Sequence, residues 1–199
     1  FGIDPAEPKG DVESYITDGY MYFNPVTQKG AEFMAQFDSL FENSDDKAVK
    51  ELQVKIGDIV GKLPLSNLPL NEFGGDKLDA LFNRPEWQGL SESCIGCGTC
   101  TYVCPTCQCY DVKDYKTNTG VKRFRCWDSC MRKDFTMMAH GTNRPSHLQR
   151  FRQRFMHKLV YHPANHNGEF SCVGCGRCVA KCPVSMNIVK VMKTLGGNK

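Results

Sequence analysis

The chain has 199 residues, 41% hydrophobic and 11% aromatic, enough to bury the core of one ordinary domain or two small ones. No run approaches the roughly 18 consecutive apolar residues of a membrane span, and the opening FGIDPAEPKGD has neither the basic nor the apolar region of a secretory signal. The net charge of +3 conceals an asymmetry, since residues 1–93 carry 8 Lys/Arg against 17 Asp/Glu and residues 94–199 carry 17 against 5.

In chain order, residues 1–25 are rich in Gly, Pro and Asp and read as loops around a short strand near Tyr20–Phe23. The opening lacks a methionine and reads as a cut or processed end. From about Gln28 the apolar positions Phe33, Met34, Phe37 and Leu40 or Phe41 recur at helical spacing. A second helix is expected over Val49, Leu52, Val54, Ile56, Ile59 and Val60, stopped by Gly61 and Pro64. The LPLSNLPLNEFGGD stretch is linker-like and places a boundary near Asn71–Asp76. Residues 1–75 are then a small α+β segment, the tail of a larger N-terminal domain, and 76–199 form the second domain. There KLDALF is a short amphipathic segment leading through Pro85 and Trp87 to the first cysteine. The long insert between the two cysteine motifs reads as largely helical. Leu148, Phe151, Phe155 and Leu159 mark one helix face behind Ser146 as N-cap, with Arg150, Arg152, Arg154 and Lys158 on the other sides. Ile188, Val191 or Met192, and Leu195 make a last helix.

All twelve cysteines lie at or after Cys94. Without an export signal the expected home is the reducing cytoplasm, where clustered cysteines bind metal rather than form disulfides. Two runs share one pattern. Cys94, Cys97, Cys100 and Cys104 precede Pro105, and Cys172, Cys175, Cys178 and Cys182 precede Pro183. Three cysteines two residues apart wrap a tight loop round one 4Fe-4S cube. Glycines at 96, 98, 174 and 176 relieve crowding, so that backbone N–H groups can point at the sulfurs. In two-cluster ferredoxins the fourth cysteine ligates the other cube. Carried over, cluster 1 uses Cys94, Cys97, Cys100 and Cys182, and cluster 2 uses Cys172, Cys175, Cys178 and Cys104. A pair of zinc sites is the competing reading, but zinc has no use for a third C-x2 step and a cysteine before proline.

Cys107, Cys109, Cys126 and Cys130 remain. Cys126 and Cys130, four apart, would share one face of a helix, and a third 4Fe-4S cluster on these four is the expectation. Small buried apolar groups and a reactive thiol pair are the alternatives. The histidines at 140, 147, 157, 162 and 166 are read as surface or core residues. The string Arg150, Arg152, Arg154, His157, Lys158 is read as a solvated face that offsets cluster charge, against a grip for phosphate or an acidic partner. Cluster loops set among helices favour a mainly α, α-helical ferredoxin-like dicluster domain over a βαββαβ one.

CIGCGTCTYVCPTCQCYD, CWDSCMRKDFTMMAHG with RFRQRFMHKL, and CVGCGRCVAKCPVSMNIV resemble a dicluster iron–sulfur family. Its members include sulfhydrogenase beta subunits and anaerobic sulfite reductase A subunits. The likeness is tight from Cys94 to Val191 and looser over FGIDP and VTQKG. It implies an electron-transfer subunit between a flavin- and nicotinamide-binding subunit and a catalytic subunit of a cytoplasmic, anaerobic oxidoreductase. The chain itself has no G-x-G-x-x-G and no P-loop, so chemistry on a substrate falls to a partner. Two other functions compete: an iron–sulfur enzyme reducing a sulfur substrate at the third cysteine site, and a nucleic-acid protein with a structural cluster. Two complete relay motifs speak against the last.

Overall fold

A computed structural model of the protein describes residues 10–17, 19–63, 65 and 67–197. The opening FGIDP and Pro64, expected to help stop a helix, lie outside the described residues. The chain divides into two compact units, one ending at Asn67 and the other beginning at Leu68.

In the N-terminal unit β1 (Val12–Thr17) pairs antiparallel with β2 (Tyr20–Pro25), in register from Val12 opposite Pro25 to Thr17 opposite Tyr20. A single strand was expected here. The hairpin forms because Gly19 takes φ 88° without steric cost, which lets the chain reverse in two residues. Helix α1 (Gln28–Ala35) starts at Thr27, whose side chain accepts the Gly30 N–H at 3.2 Å and donates to the Asp11 carboxylate at 2.7 Å. Gly30 itself lies so close to the Asp11 carbonyl that no Cβ fits. Helix α2 (Lys47–Gly61) is tied to the hairpin where Gln53 Nε2 donates to the Tyr15 hydroxyl at 3.1 Å. Helix α2 lies where helical spacing puts it, but α1 ends at Ala35, short of Phe37, and Asp38–Leu40 form a separate 3-10 turn; Leu40, Ile16 and Ile59 remain 75%, 69% and 62% exposed.

The C-terminal unit holds the core. Its helices are α3 (Leu78–Phe82), α4 (Glu86–Glu92), α5 (Thr99–Tyr102), α6 (His147–Met156), α7 (His162–Asn165), α8 (Arg177–Lys181) and α9 (Ile188–Leu195). One hairpin interrupts them, β3 (Tyr110–Thr117) antiparallel to β4 (Gly120–Trp127). The insert is therefore not largely helical: Val112, Tyr115, Val121 and Phe124 suit a pleated surface better than a helix face. Helices predominate over the two small sheets. Trp87 of α4, Phe151 and Phe155 of α6, and Ile188, Val191, Met192 and Leu195 of α9 are all buried in one cluster. The Trp87 indole donates to the Leu81 carbonyl at 2.7 Å, so its polar edge is satisfied inside the core.

Helix α6 begins with a full capping box, in which the Ser146 hydroxyl takes the Gln149 N–H and the Gln149 side chain takes the Ser146 N–H. It runs through a wide π-helical turn, His157–Tyr161, into α7. Proline explains the wide turn. The His162 N–H reaches back to the His157 carbonyl, which leaves the Lys158 carbonyl without its usual α-helical donor. Residue 163, the next in line, is Pro and has no N–H. The Ser171 N–H takes that carbonyl instead, at 3.1 Å.

Of the residues expected along this helix, Phe151, Phe155 and Leu159 are buried as one face. Arg154 and Lys158 are not on a solvated side: they are 2% and 3% exposed. With Phe151, Phe155 and Leu159 they occupy the i, i+3, i+4, i+7, i+8 positions of a single stripe. Arg152 lies over the Phe82 ring at 3.6 Å and donates to the Phe82 carbonyl, and Arg150 donates to the Arg144 and Pro145 carbonyls.

Candidate iron–sulfur centres

The four glycines of the cysteine loops all take left-handed backbone, with φ of 70° and 77° at Gly96 and Gly98 and 65° and 73° at Gly174 and Gly176. A side chain there would cost about 1–2 kcal/mol per residue. The payoff is a loop that curls its amides inward. The Gly96 N–H points at Cys94 Sγ at 3.4 Å, and the Met186 N–H points at Cys182 Sγ at 3.1 Å. Gly98 and Gly176 sit at the starts of α5 and α8, which carry Cys100 and Cys178 and pack against each other.

The last cysteine of each loop lies within electrostatic reach of the first cysteine of the other. Cys94 feels Cys97 beside it and Cys182 across the fold, whereas Cys172 feels Cys178 and Cys104. The Cys104 thiol lies 3.2 Å from the Thr106 hydroxyl, and that hydroxyl donates to the carbonyl of Ser171, next to Cys172, at 2.7 Å. Cys100 and Cys178, assigned to different sets, also act on each other. All twelve cysteines are free of disulfides. No three His, Cys, Asp or Glu side chains among the described residues stand as a site for a single metal ion. A cube with its irons at separate corners does not require that closeness.

Burial pushes the thiols of Cys94, Cys100 and Cys172 above their usual range, which disfavours the thiolate that a metal needs. Two buried cations work the other way. Lys158 Nζ donates to Thr106 Oγ1 at 2.9 Å and to the Ser171 carbonyl at 3.0 Å. Its charge favours the thiolates of Cys104, Cys107, Cys109 and Cys172. Arg154 donates from Nη2 to the Cys100 carbonyl at 3.2 Å, while its Nε and Nη1 are buried without a partner. Burial opposes its charge, but Cys100, Cys178 and Cys107 around it outweigh burial and raise its pKa. Neither residue pairs with a carboxylate among the described ion pairs. Buried cations without carboxylates, set among thiols, fit anionic clusters: a cube with four thiolates carries about −2 or −3 by formal charge.

The remaining four cysteines are not placed as the helical spacing suggested. Cys126 and Cys130 do not share a helix. Cys126 lies in β4 and Cys130 in the turn after it. The Cys107 thiol beside Cys104 pulls the latter down to about 4, and the Cys130 thiol beside Cys109 pulls the latter down to about 6. Cys107 and Cys130 are correspondingly raised, as donors within those pairs. Cys126 stands opposite Asp111, and the Asp128 N–H extends the ladder to the Cys109 carbonyl at 3.0 Å. Strand alternation then puts Cys126 on the same face as Cys109. The turn carrying Cys130 is locked to the first loop, with the Ser129 and Thr101 hydroxyls 2.7 Å apart and both residues buried.

Sequence reasoning missed Thr106, Ser171, Ser129 and the burial of Arg154 and Lys158. The apolar stripe carried a signal for the last two, because both cations occupy positions that face the core. His147, read as a surface or core residue, packs over the first loop. A Cβ on Gly96 would meet its Cε1 at 3.2 Å, and its buried Nε2 has no partner.

Residues 93–186 match the family described as the 4Fe-4S dicluster domain. This part of the chain belongs to that family. Among curated proteins the chain is similar to the sulfhydrogenase 2 subunit beta of Pyrococcus furiosus, 38% identical over 170 residues, which is 82% of this chain and 48% of the relative. The chain spans about half the length of the curated relative it matches. No solved structure matches it. No helix among the described residues is long and apolar enough to cross a membrane.

Proposed function

We propose that this chain is the electron-relay part of an iron–sulfur subunit. It passes electrons between a flavin- and nicotinamide-binding subunit and a catalytic subunit of hydrogenase or sulfur/sulfite-reductase type in the cytoplasm. The observation that carries this reading is the nearness of Cys182 to Cys94 and of Cys104 to Cys172, beside buried cations that need anionic neighbours. Cluster 1 takes Cys94, Cys97, Cys100 and Cys182; cluster 2 takes Cys172, Cys175, Cys178 and Cys104. The clusters supply reversible one-electron chemistry. The chain's own residues hold the two sets together, exclude water from Cys100 and Cys172, and supply N–H groups and positive charge to the sulfurs. Both loops lie among helices without a shared sheet among the described residues, which supports an α-helical ferredoxin-like arrangement.

A third 4Fe-4S cluster on Cys107, Cys109, Cys126 and Cys130 belongs to the same proposal. Its support is the Cys109–Cys130 contact and the placement of Cys126 on the face of Cys109. The competing reading, a sulfur substrate reduced there, is favoured by no observation of its own. Iron and acid-labile sulfide in anaerobically purified protein decide the count: about eight of each per chain for two cubes, about twelve for three. A colourless, zinc-loaded protein with no reducible signal would sink the relay.

A further inference from the structure

Arg154 and Lys158 sit one helical turn apart on a buried stripe, and they do not touch the two cysteine sets equally. Arg154 is shared. It bonds the Cys100 carbonyl, which belongs to the first set, and its guanidinium stands among Cys100, Cys178 and Cys107. Lys158 is not shared. Its ammonium bonds Thr106, the neighbour of Cys104, and Ser171, the neighbour of Cys172. Both of those cysteines belong to the second set, and Lys158 is not among the charges that act on Cys94, Cys97 or Cys100.

The position of Lys158 is held from both ends. Its carbonyl, released by the π-helical turn before Pro163, accepts the Ser171 N–H at 3.1 Å, and its Nζ donates to the Ser171 carbonyl at 3.0 Å. A side chain clamped in this way cannot swing toward water to lose its influence. Its burial to 3% exposure means that solvent screens its charge little.

We propose that Lys158 biases the relay, placing one more fixed positive charge beside the second cysteine set than beside the first, so that a single electron rests preferentially on the second. Adding an electron makes a cube more negative, and a nearby cation stabilises that change. Arg154 stands beside thiols of both sets and favours reduction of both. Of these two sets, Lys158 favours the second, through Cys104 and Cys172. In the step concerned one electron leaves the reduced first centre and enters the oxidised second. No bond forms or breaks and no proton moves, and the electron comes from the flavin-bearing partner of the proposed relay. The inference rests on that relay reading.

The test is potentiometric titration of the whole chain followed by EPR. The second centre is identified as the signal altered by Cys172→Ser. In the unsubstituted protein the second centre is expected to be reduced first. Lys158→Met should lower its potential by at least about 59 mV, a tenfold shift in a one-electron equilibrium. It should leave the first centre in place at unchanged iron content, and Lys158→Arg should restore the order. Equal shifts of both centres, or none, overturn the proposal. Should Lys158→Met fail to hold iron, the order of reduction in the unsubstituted protein still decides: a first centre that is reduced first refutes the bias. Absence of iron from the unsubstituted protein would instead refute the relay itself.

Discussion

Cys104 and Cys182 each stand at the end of one loop and are proposed to serve the other. Thr106 bridges from Cys104 to Ser171, and the Met186 amide meets Cys182. Cys104→Ala is therefore expected to damage the centre of Cys172, Cys175 and Cys178 while its own sequence neighbours keep theirs. EPR of the reduced variant checks this, since a three-iron signal at the first centre would contradict it. Gly98 is a second residue with no alternative. Its φ of 77° and the 3.1 Å gap between an added Cβ and Ser129 Oγ leave no room for a side chain, so Gly98 cannot be exchanged without disturbing the Thr101–Ser129 contact.

At the scale of elements, α6 is the spine on which both cysteine sets depend. Its apolar positions reach Trp87, with Phe151 and Phe155 rings 6.2 and 6.5 Å from the indole, while its Arg154, and Lys158 in the π-helical turn beyond it, are buried beside the cysteine loops. Its capping box is worth measuring. Ser146→Ala should cost about 1 kcal/mol, read as a lowered midpoint in thermal or denaturant unfolding with the clusters still loaded. The β3–β4 hairpin has a different task, because its register delivers Cys126 and the Cys130 turn to Cys109. Replacing Cys126 and Cys130 with serine should lower iron by about four per chain if one cube is lost, leaving the other two centres spectroscopically intact. Unchanged iron, with both thiols free to alkylation in the native protein, would mean that no third cluster exists.

At the scale of the whole molecule, the excess of basic residues after residue 93 has an internal purpose as well as a surface one. Part of it is buried where clusters would balance it, so cluster and fold stabilise each other. Removing iron with a chelator under anaerobic conditions should leave Arg154 and Lys158 without compensation. Breaking a buried charge pair costs about 3–5 kcal/mol, so the C-terminal unit should loosen. Hydrogen exchange should accelerate at amides of α6, the π-helical turn and Ser171, and not in β1, β2 or α2. Uniform exchange across both units, or none, would show that the cations find balance elsewhere.

Much of this was legible from residue order alone. The doubled cysteine pattern, the left-handed glycines within it, the Ser146 cap and the apolar face of α9 all follow from spacing and backbone sterics, which act locally. In the N-terminal unit residue order marks a strand near Tyr20–Phe23, while its pairing with β1 is a tertiary property. What residue order did not reveal was the company each charge would keep. Arg154 and Lys158 follow the helical stripe, but charged side chains ordinarily snorkel outward, and only the cysteines brought in from residues 94–107 and 172–178 make burial tolerable. The same holds for Cys126 and Cys130: four-residue spacing suggests a helix, while pairing across β3 and β4 decides that strand register, a non-local property, brings them toward Cys109. Local rules placed the ligands in two loops. Contacts between residues 52 and 65 positions apart bring the last cysteine of the first loop toward the second loop, because the hydrogen bonds of Thr106 to Ser171 and of Lys158 to Thr106 exist only once the chain has closed on itself.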